Sequence, residues 1–315
     1  MPSNSFLLKT FTNIDNYHKL KSVVTIGTFD GVHIGHKKIL EKIIDSAKKN
    51  NFQSVVLSFF PHPRMILQDN SVIKLLNSVE EKTLLLEKAG IDNLIIHPFN
   101  QEFSRLSAED FVKDVLINKL NVQKIIIGHD HRFGRNRTAN IDDLILYGKQ
   151  FGFEVEQISA QQINENAVSS TKIRNAILDG NILLANNYLG YNYFFSGNVV
   201  KGKQLGRTIG FPTANIEIKE DYKLIPKNGV YIVKSSYKEK VIYGMMNIGT
   251  RPTVDGKDQT IEVNFFNFNE DIYDEKITIE LLDFIRDEQK FENLDGLKKQ
   301  LYNDRETALT FISKV

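Results

Sequence analysis

The sequence has no cysteine among its 315 residues, and this absence excludes several kinds of site. Without thiols the chain forms no disulfide, offers no thiolate to a metal and has no cysteine nucleophile. Long hydrophobic runs are also missing, since no run approaches the roughly 20 apolar residues of a membrane helix. Residues 1–15 lack the basic start and the continuous apolar stretch of a signal peptide. Together these absences predict a cytoplasmic protein that has no membrane partner.

An excess of charge of one sign is missing too. Lys and Arg together number 40 and Asp and Glu 39, which gives a formal net charge of +1 at pH 7. We therefore expect no bulk electrostatic attraction to nucleic acid, and the basic cluster "RFGRNR" at 132–137 is local. The remaining composition, 41% hydrophobic and 25% charged, is that of an ordinary globular protein. A chain of this length exceeds what one hydrophobic core usually serves, so we predict two domains.

Short apolar runs alternate with helical patterns in the first half of the chain. Strands that are buried on both faces are predicted at 22–27, 54–60, 93–97, 124–128 and 153–159. An apolar stripe predicts a helix after Gly35, and Ser78 with Glu81 and Ser107 with Asp110 have the spacing of helix N-terminal caps. The alternation indicates a parallel, doubly wound sheet, in which ligands bind beyond the carboxyl ends of the strands.

The pattern changes near Gly190 to β-rich segments that are separated by turn signals such as "PKNG" and "VDGK". Roughly six strands are predicted there, which is typical of an antiparallel barrel or sandwich. Residues 294–311 return to helical spacing. We place the boundary within residues 179–192, so that the predicted domains are 1–184 and 185–315.

The turn after the first buried strand reads "TIGTFDGVHIGHKKIL" over residues 25–40. Its glycines allow the backbone to approach a ligand, and the free N–H groups at the start of the next helix favour an anion. His33 and His36 stand three residues apart, where they could donate hydrogen bonds to phosphate oxygens. A metal-binding histidine pair and two incidental turn residues stay open as alternatives. Asp30 is expected to order the loop rather than to act as a base.

This turn resembles the Gly-x-Phe-Asp-Gly-Val-His-x-Gly-His signature of the nucleotidyltransferase superfamily. "SSTKIR" at 169–174 is similar to a downstream segment of that superfamily, and "FFPHPR" and "GHDHRFGRNR" are similar to segments of bacterial FAD synthetases. The resemblance implies adenylyl transfer from ATP to FMN, with catalytic residues His33, His36 and Arg174. It also implies ATP-binding residues Gly27, Phe29, Gly35, Ser170 and Thr171, and flavin-binding residues Pro61 and Asp130. His131 stands where the family usually has Phe, so no role is assigned to it.

A second glycine-rich stretch, "GKQLGRTIGFPTANI", spans residues 202–216. Gly202, Gly206 and Gly210 recur at four-residue intervals, which suits a loop that folds over phosphates. Thr213 and Asn215 offer a hydroxyl and an amide oxygen, which are hard ligands for Mg²⁺. The stretch resembles the riboflavin kinase signature, and "NIGTRPTVDG", "TIEVNFFNF" and "FIRDEQKF" are similar to further segments of that family. The resemblance implies that the three glycines bind ATP and that Thr213 and Asn215 bind the metal.

Glu262 lies between Ile261 and Val263 in the predicted strand "TIEVNF". Strand alternation turns the two apolar side chains inward and Glu262 to the opposite face, toward a ligand. A kinase needs an acceptor for the proton of the attacking hydroxyl, and the resemblance implies that role for Glu262; a solvated strand residue is the alternative. We assign Asn247 and Arg251 to the flavin pocket, with a purely structural role in the "NIGTRP" turn as the open alternative.

Over nearly the whole chain the motifs resemble the bacterial FAD synthetase family. The resemblance implies a Rossmann-like nucleotidyltransferase domain that converts FMN to FAD, followed by a six-stranded antiparallel β-barrel with a C-terminal helix that phosphorylates riboflavin to FMN. ATP and Mg²⁺ would serve both sites. A monofunctional riboflavin kinase with a degenerate, regulatory first domain stays open, as does a flavin carrier without catalysis. We expect small-molecule partners only, and a monomer or weak homo-oligomer.

Overall fold

The computed structural model describes residues 7–67, 73–129, 131–159, 168–202, 205–253 and 256–314. The chain divides into two compact units, Met1–Ser170 and Thr171–Val315. None of the helices within those ranges combines the length and the apolar character that crossing a bilayer requires.

The first unit is built on a six-stranded parallel sheet. Its strands are β1 (Lys9–Phe11), β2 (Ser22–Ile26), β3 (Gln53–Phe60), β4 (Asn93–Pro98), β5 (Val122–Gly128) and β6 (Glu154–Ile158). They lie in the order β1-β4-β3-β2-β5-β6, and every neighbouring pair is parallel. From β2 the sheet extends through β3, β4 and β1 in one direction, and through β5 and β6 in the other. This reversal forms a switch point between β2 and β5, where a doubly wound sheet binds its ligands.

Helices connect these strands. They are α1 (Ile34–Asn50), α2 (Pro63–Leu67), α3 (Val79–Ala89), α4 (Gln101–Ser104), α5 (Ala108–Asp110), which continues as a π-helix over Phe111–Lys119, and α6 (Ile141–Phe151). The predicted cap of α3 is a full capping box, because the Ser78 hydroxyl accepts from the Glu81 N–H and the Glu81 carboxylate accepts from the Ser78 N–H. The predicted cap of α5 is also confirmed, since the Ser107 hydroxyl accepts from the Asp110 N–H at 3.1 Å.

Alternate residues of the strands fill two hydrophobic clusters, one on each face of the sheet. Val24 of β2 and Val55 of β3 belong to one cluster, and Val23 and Val56 belong to the other. All four side chains are fully buried. Helix α1 contributes to the second cluster and the π-helix to the first, so both faces are covered. Burial on two faces explains why the strands read as continuous apolar runs.

Strand β6 forms one edge of the sheet in the described part of the chain. The Glu156 carboxylate lies 2.7 Å from Lys42 Nζ and 2.8 Å from Lys124 Nζ. Glu154, two residues earlier on the same strand, lies 3.7 Å from Lys124 Nζ. Charged side chains therefore occupy one face of this edge strand.

The second unit contains a closed antiparallel barrel, which decides between the predicted barrel and sandwich. Its strands are β7 (Phe194–Val200), β8 (Ala214–Glu217), β9 (Gly229–Tyr237), β10 (Lys240–Thr253), β11 (Gly256–Phe265) and β12 (Lys276–Arg286), in the order β10-β11-β8-β7-β12-β9. Its helices are α7 (Ser170–Leu178), whose first residue belongs to the first unit, α8 (Ile182–Leu189), α9 (Leu205–Thr208) and α10 (Leu294–Ile312). Closure pairs every strand of the barrel on both sides.

Helix α10 is the predicted C-terminal helix, and it packs on the outside of the barrel. Ala308 is fully buried in a cluster that also contains Phe211, and the Phe211 ring meets Tyr302 edge-on at 5.1 Å. The Arg286 guanidinium donates from two nitrogens to the buried Asp304 carboxylate, at 2.9 and 2.7 Å. A bidentate buried pair fixes the helix to the end of β12.

Candidate functional site

The first candidate site is the turn between β2 and α1, at the switch point of the sheet. Phe29, Gly31 and Val32 all have left-handed backbones, with φ of 47°, 90° and 34°. A left-handed conformation costs roughly 1–2 kcal/mol for a residue with a side chain, so surrounding contacts must hold this turn. Gly27 precedes it, and a Cβ there would lie 3.2 Å from the Phe29 ring. The predicted ATP-binding residues Gly27 and Phe29 are thus packed against each other.

The two histidines lie together at the start of α1. His33 is the N-cap, and its Nδ1 accepts a hydrogen bond from the His36 N–H at 3.3 Å. The rings stack with centroids 3.7 Å apart, and the Phe29 ring lies 4.9 Å from His36. An Nδ1 that accepts a hydrogen bond carries no proton, so the neutral His33 ring holds its proton on Nε2. Gly35 is buried in the first turn of this helix.

Both histidines are neutral at physiological pH. Burial lowers the pKa of His33 to about 4. Burial, with smaller contributions from His33 and from Lys82, lowers the pKa of His36 well below its usual value. His36 Nδ1 is buried and has no hydrogen-bond partner among the described residues. A buried polar atom in this state is typical of a site that a ligand completes.

The alternative in which the two histidines bind a metal ion would need a third ligand. Within the described ranges, no three His, Cys, Asp or Glu side chains come together as they would around a metal ion. His33 and His36 are neutral donors at a helix N-terminus, and this arrangement suits an anion.

Asp30 orders the turn, as expected, although its partner is distant in sequence. Its carboxylate accepts from the Leu76 N–H at 2.8 Å, and its carbonyl oxygen accepts from the Ser170 hydroxyl at 2.8 Å. Asp30 is 5% exposed. Ser170 therefore reaches the turn through the main chain of Asp30, and its contact with ATP stays a prediction.

Thr171 and Arg174 belong to the second compact unit. In helix α7 the Arg174 guanidinium donates to the Thr171 hydroxyl at 3.5 Å. Both residues are exposed or half-buried, as a ligand contact requires. Their predicted contacts with the ATP phosphates stay predictions.

One predicted flavin-binding residue of the first unit lies at the carboxyl end of β3. Pro61 directly follows β3 and is joined to Phe60 by a cis peptide bond. Asp130 lies outside the described residues. The His131 ring stacks on Phe133, with centroids 6.2 Å apart.

A row of phenylalanine rings lies at this same end of the sheet. Phe103 is 5.4 Å from Phe59 and 6.1 Å from Phe111, and Phe111 is 5.9 Å from Phe133. Phe111 and Phe133 are buried in the core, whereas Phe59 and Phe103 are only partly buried. Phe59 and Phe103 therefore keep part of their surface exposed.

The second candidate site is a row of polar side chains across three strands of the barrel. Glu262 of β11 pairs with Asn247 of β10 on one side and with Asn215 of β8 on the other. Directly opposite residues of antiparallel strands share a face, so the three side chains lie on one surface. The Thr213 hydroxyl donates to the Glu262 carboxylate at 3.3 Å. Glu262 is half-buried between buried neighbours, as the alternation predicts.

The glycines of this site have structural reasons that are visible in the described backbone. A Cβ on Gly202 would lie 2.1 Å from Asn215 Nδ2. A Cβ on Gly206 would lie 2.2 Å from the Phe211 carbonyl oxygen and 3.5 Å from the Thr213 hydroxyl. Gly210 has a φ of 86°, which favours glycine. The loop therefore passes close to Asn215 and Thr213, and its contact with ATP stays a prediction.

Sequence reasoning missed one residue of this site. Asn264, two residues after Glu262 and on the same face of β11, donates from Nδ2 to the Pro212 carbonyl oxygen at 2.7 Å. Asn264 is 8% exposed. It therefore fixes the segment that carries Thr213. The period of two that indicated Glu262 also indicates Asn264.

The predicted flavin residues of the barrel lie on β10. Asn247 is beside Gly249, where a Cβ would lie 3.1 Å from Asn247 Nδ2 and 2.3 Å from the Glu288 carboxylate. Glu288 also accepts from Asn228 Nδ2 at 3.0 Å. The backbone of Arg251 pairs with Asp258, but its side chain lies outside the described residues.

Comparison with known proteins identifies the family. A family model for FAD synthetase matches residues 15–172, and one for riboflavin kinase matches residues 189–312. A protein of Buchnera aphidicola subsp. Schizaphis graminum, named bifunctional riboflavin kinase/FMN adenylyltransferase, is 39% identical over 314 residues, which are 98% of this chain and 100% of that protein. The chain belongs to the bifunctional riboflavin kinase/FMN adenylyltransferase family.

A second relative and a solved structure are similar to this chain over nearly their whole lengths. The Escherichia coli K12 protein of the same name is 37% identical over 308 residues, 97% of each chain. A crystal structure titled macrolide-efflux protein from Streptococcus pneumoniae is 32% identical, with a TM-score of 0.86 over 96% of this chain and 98% of that one. That title names efflux, whereas both family models and the relatives at 37–39% identity name flavin-synthesising activities. Those family models and relatives define the family of this chain.

The predicted resemblance to bacterial FAD synthetases and the two-domain fold class are therefore confirmed. Riboflavin kinase and FMN adenylyltransferase, both transferase activities, are the activities of this family, and the chain carries one domain for each. The monofunctional alternative is not favoured. Residues 173–188 lie between the two matches, so the predicted boundary after residue 184, which falls within α8, stays a prediction.

Proposed function

We propose that this chain makes FAD from riboflavin in two ATP-dependent steps, each at its own site. The observation that carries the proposal is that each unit contains its own cluster of polar side chains suited to phosphate chemistry. The first is the neutral histidine pair at the N-terminus of α1, and the second is the polar row around Glu262. Riboflavin, FMN and ATP are the substrates, and FMN and FAD are the successive products.

The kinase step takes place on the polar row of the barrel. The primary hydroxyl of the riboflavin side chain attacks the γ-phosphorus of ATP, and the bond from that phosphorus to the bridging oxygen breaks to release ADP. Glu262 accepts the proton of the attacking hydroxyl. Its carboxylate is held by the Thr213 hydroxyl at 3.3 Å, which orients the acceptor before substrate arrives. Asn247 and Arg251 contact the flavin.

Mg²⁺ fits the same row. Thr213 supplies a hydroxyl and Asn215 an amide oxygen, and the Glu262 carboxylate adjoins both, which makes an all-oxygen donor set. Thr213 and Asn215 would hold the ion, which neutralises charge on the ATP phosphates when it is bound. The tight approach of Gly202 to Asn215 leaves the loop near enough to cover those phosphates.

The adenylyl step takes place at the turn after β2. A phosphate oxygen of FMN attacks the α-phosphorus of ATP, and the bond to the β-phosphate oxygen breaks to release pyrophosphate. His33 donates from Nε2 to phosphate oxygens, and His36 completes the pair. Thr171 and Arg174 bind the ATP phosphates, while Pro61 and Asp130 contact the flavin. The reaction needs positioning and charge stabilisation rather than a protein nucleophile.

We further propose that the enzyme works in the cytoplasm, as a monomer or weak homo-oligomer and without nucleic acid. The absence of cysteine and the formal net charge of +1 support this setting.

A time course tests the proposed function. The purified chain is incubated with riboflavin, ATP and Mg²⁺, and the three flavins are separated by chromatography. FMN should rise first and FAD should follow. FMN that accumulates without FAD would reduce the chain to a kinase with a failed first site. Unchanged riboflavin despite flavin binding would favour the carrier.

A further inference from the structure

A buried cation lies beneath the turn that carries the two histidines. Lys82 of α3 is only 7% exposed, although a lysine in "VEEKTLLLEK" is expected to face solvent. Its Nζ donates to the Thr28 carbonyl oxygen at 3.2 Å and to Ser58 Oγ at 2.9 Å. Ser58 Oγ donates in turn to the same Thr28 carbonyl at 3.3 Å. A buried ammonium is costly unless its protons are bonded, so these contacts keep Lys82 in place.

Thr28 is the first residue of the turn after Gly27. The turn that contains the three left-handed residues is held at two separate points. Lys82 and Ser58 hold Thr28, while Leu76 and Ser170 hold Asp30. Among these contacts only the one from Lys82 brings a full positive charge.

We propose that Lys82 is a positioning residue for adenylyl transfer. Its ammonium fixes Thr28, and through the turn it fixes His33 and His36 in the geometry that meets the α-phosphate of ATP. The inference rests on the proposed role of the histidine pair. Geometry set before substrate arrives lowers the barrier, and displacement by about 1 Å costs on the order of 100-fold in rate. A fixed positive charge beneath the turn also favours the anionic phosphates.

The charge of Lys82 depends on pH within an accessible range. Burial lowers the pKa of Lys82 to about 8, and the Asp30 carboxylate opposes that shift. Asp30 and the neutral His36 are titratable groups that interact with it electrostatically. Lys82 is therefore protonated at neutral pH and loses its charge as the pH rises through about 8, which gives adenylyl transfer an alkaline limb.

The test uses the full chain with Lys82→Met, which keeps the length of the side chain and removes its charge. FMN adenylyltransferase rates give kcat and KM, and the riboflavin kinase rate of the same preparation serves as the control for folding and concentration. We expect kcat to fall roughly 10- to 100-fold, with KM for FMN nearly unchanged and the kinase rate unchanged. The alkaline limb should disappear in the variant. Wild-type kcat, or a limb that persists in Lys82→Met, would overturn the inference.

Ser58→Ala provides a second variant if Lys82→Met fails to fold. It removes one acceptor from the Lys82 ammonium, so the alkaline limb should move to lower pH while the kinase rate stays unchanged. A limb at the wild-type position would overturn the inference. Failure of this inference and failure of the proposed function give different results. A wild-type chain that forms no FAD from FMN contradicts the proposed function itself. An active wild-type chain with unaffected variants contradicts only the role of Lys82.

Discussion

The Nδ1 atom of His33 accepts a hydrogen bond from the backbone N–H of His36, so one imidazole caps helix α1 and carries its proton on Nε2. The side chain thus has two functions, and different substitutions can separate them. Capping depends on an acceptor near Cβ, whereas phosphate binding depends on the far ring nitrogen.

We predict that His33→Asn and His33→Ala have the same effect on adenylyl transfer and different effects on stability. Both remove the Nε2 donor, so FAD formation from FMN should fall roughly 10²–10³-fold in each. Asn keeps an acceptor for the His36 N–H, while Ala loses it, so only His33→Ala should lose about 1 kcal/mol of unfolding free energy. Steady-state rates and denaturant unfolding measure the two effects. Equal stability of the two variants would remove the capping role.

Glu262→Gln should lower the riboflavin kinase rate roughly 10²–10⁴-fold, because an amide does not accept the hydroxyl proton. FMN adenylyltransferase activity in the same preparation is the control and should be unchanged. The Thr213 hydroxyl still has an oxygen to donate to, so the local structure should persist. A loss smaller than tenfold with normal riboflavin binding would exclude Glu262 as the base.

Gly202→Ala should weaken the use of Mg²⁺ by the kinase. The new Cβ would collide with the Asn215 amide, from which it would lie 2.1 Å, and the collision displaces a proposed metal ligand. Gly210→Ala is the matched control in the same loop: its Cβ meets no atom within 4 Å, but φ of 86° strains it. We expect the Mg²⁺ concentration for half-maximal kinase rate to rise in Gly202→Ala alone. A similar rise in both variants would indicate general loop damage.

Folding stability should fall as the pH decreases from about 6.5 to about 4. The folded pKa of His33 lies near 4, below the ordinary value of 6.5, so unfolded chains bind protons in this window that folded chains do not. The contribution of His33 to the free energy of unfolding is fully present above pH 6.5. The free energy that is lost at lower pH is roughly 3 kcal/mol at most. Thermal unfolding at several pH values measures it, and His33→Asn should show a shallower decline. Identical pH profiles would mean that His33 is not buried as described.

Features whose interacting residues are close in the sequence could be predicted from local rules. The Ser78–Glu81 capping box follows from a three-residue spacing, and the facing of Glu262 follows from the burial of Ile261 and Val263 on either side. The parallel sheet follows from continuous apolar runs that need two covered faces. Each of these predictions depends on a period that a single strand or helix displays.

Contacts between segments that are far apart in the chain leave no periodic pattern in the sequence. Lys82 is 24 residues from Ser58 and 54 from Thr28, and Asn264 is 52 from Pro212. A lysine in a helix is usually solvated, so its burial was not predictable from its neighbours. Strand β1 has only three residues, too few for an alternation to be visible. Alternation also did not distinguish a barrel from a sandwich, because both bury one face of each strand.

The charges on β6 bear on how this chain avoids association with its own copies. Unpaired edge strands can be extended by a strand from another molecule, and charged side chains on an edge oppose such pairing. The barrel has no edge to protect, because it is closed. In the described part of the chain, the risk of strand-to-strand aggregation therefore falls on the outer strands of the first unit. There a second sheet could join only if the carboxylates of Glu154 and Glu156 were desolvated and lost their ion pairs with lysine.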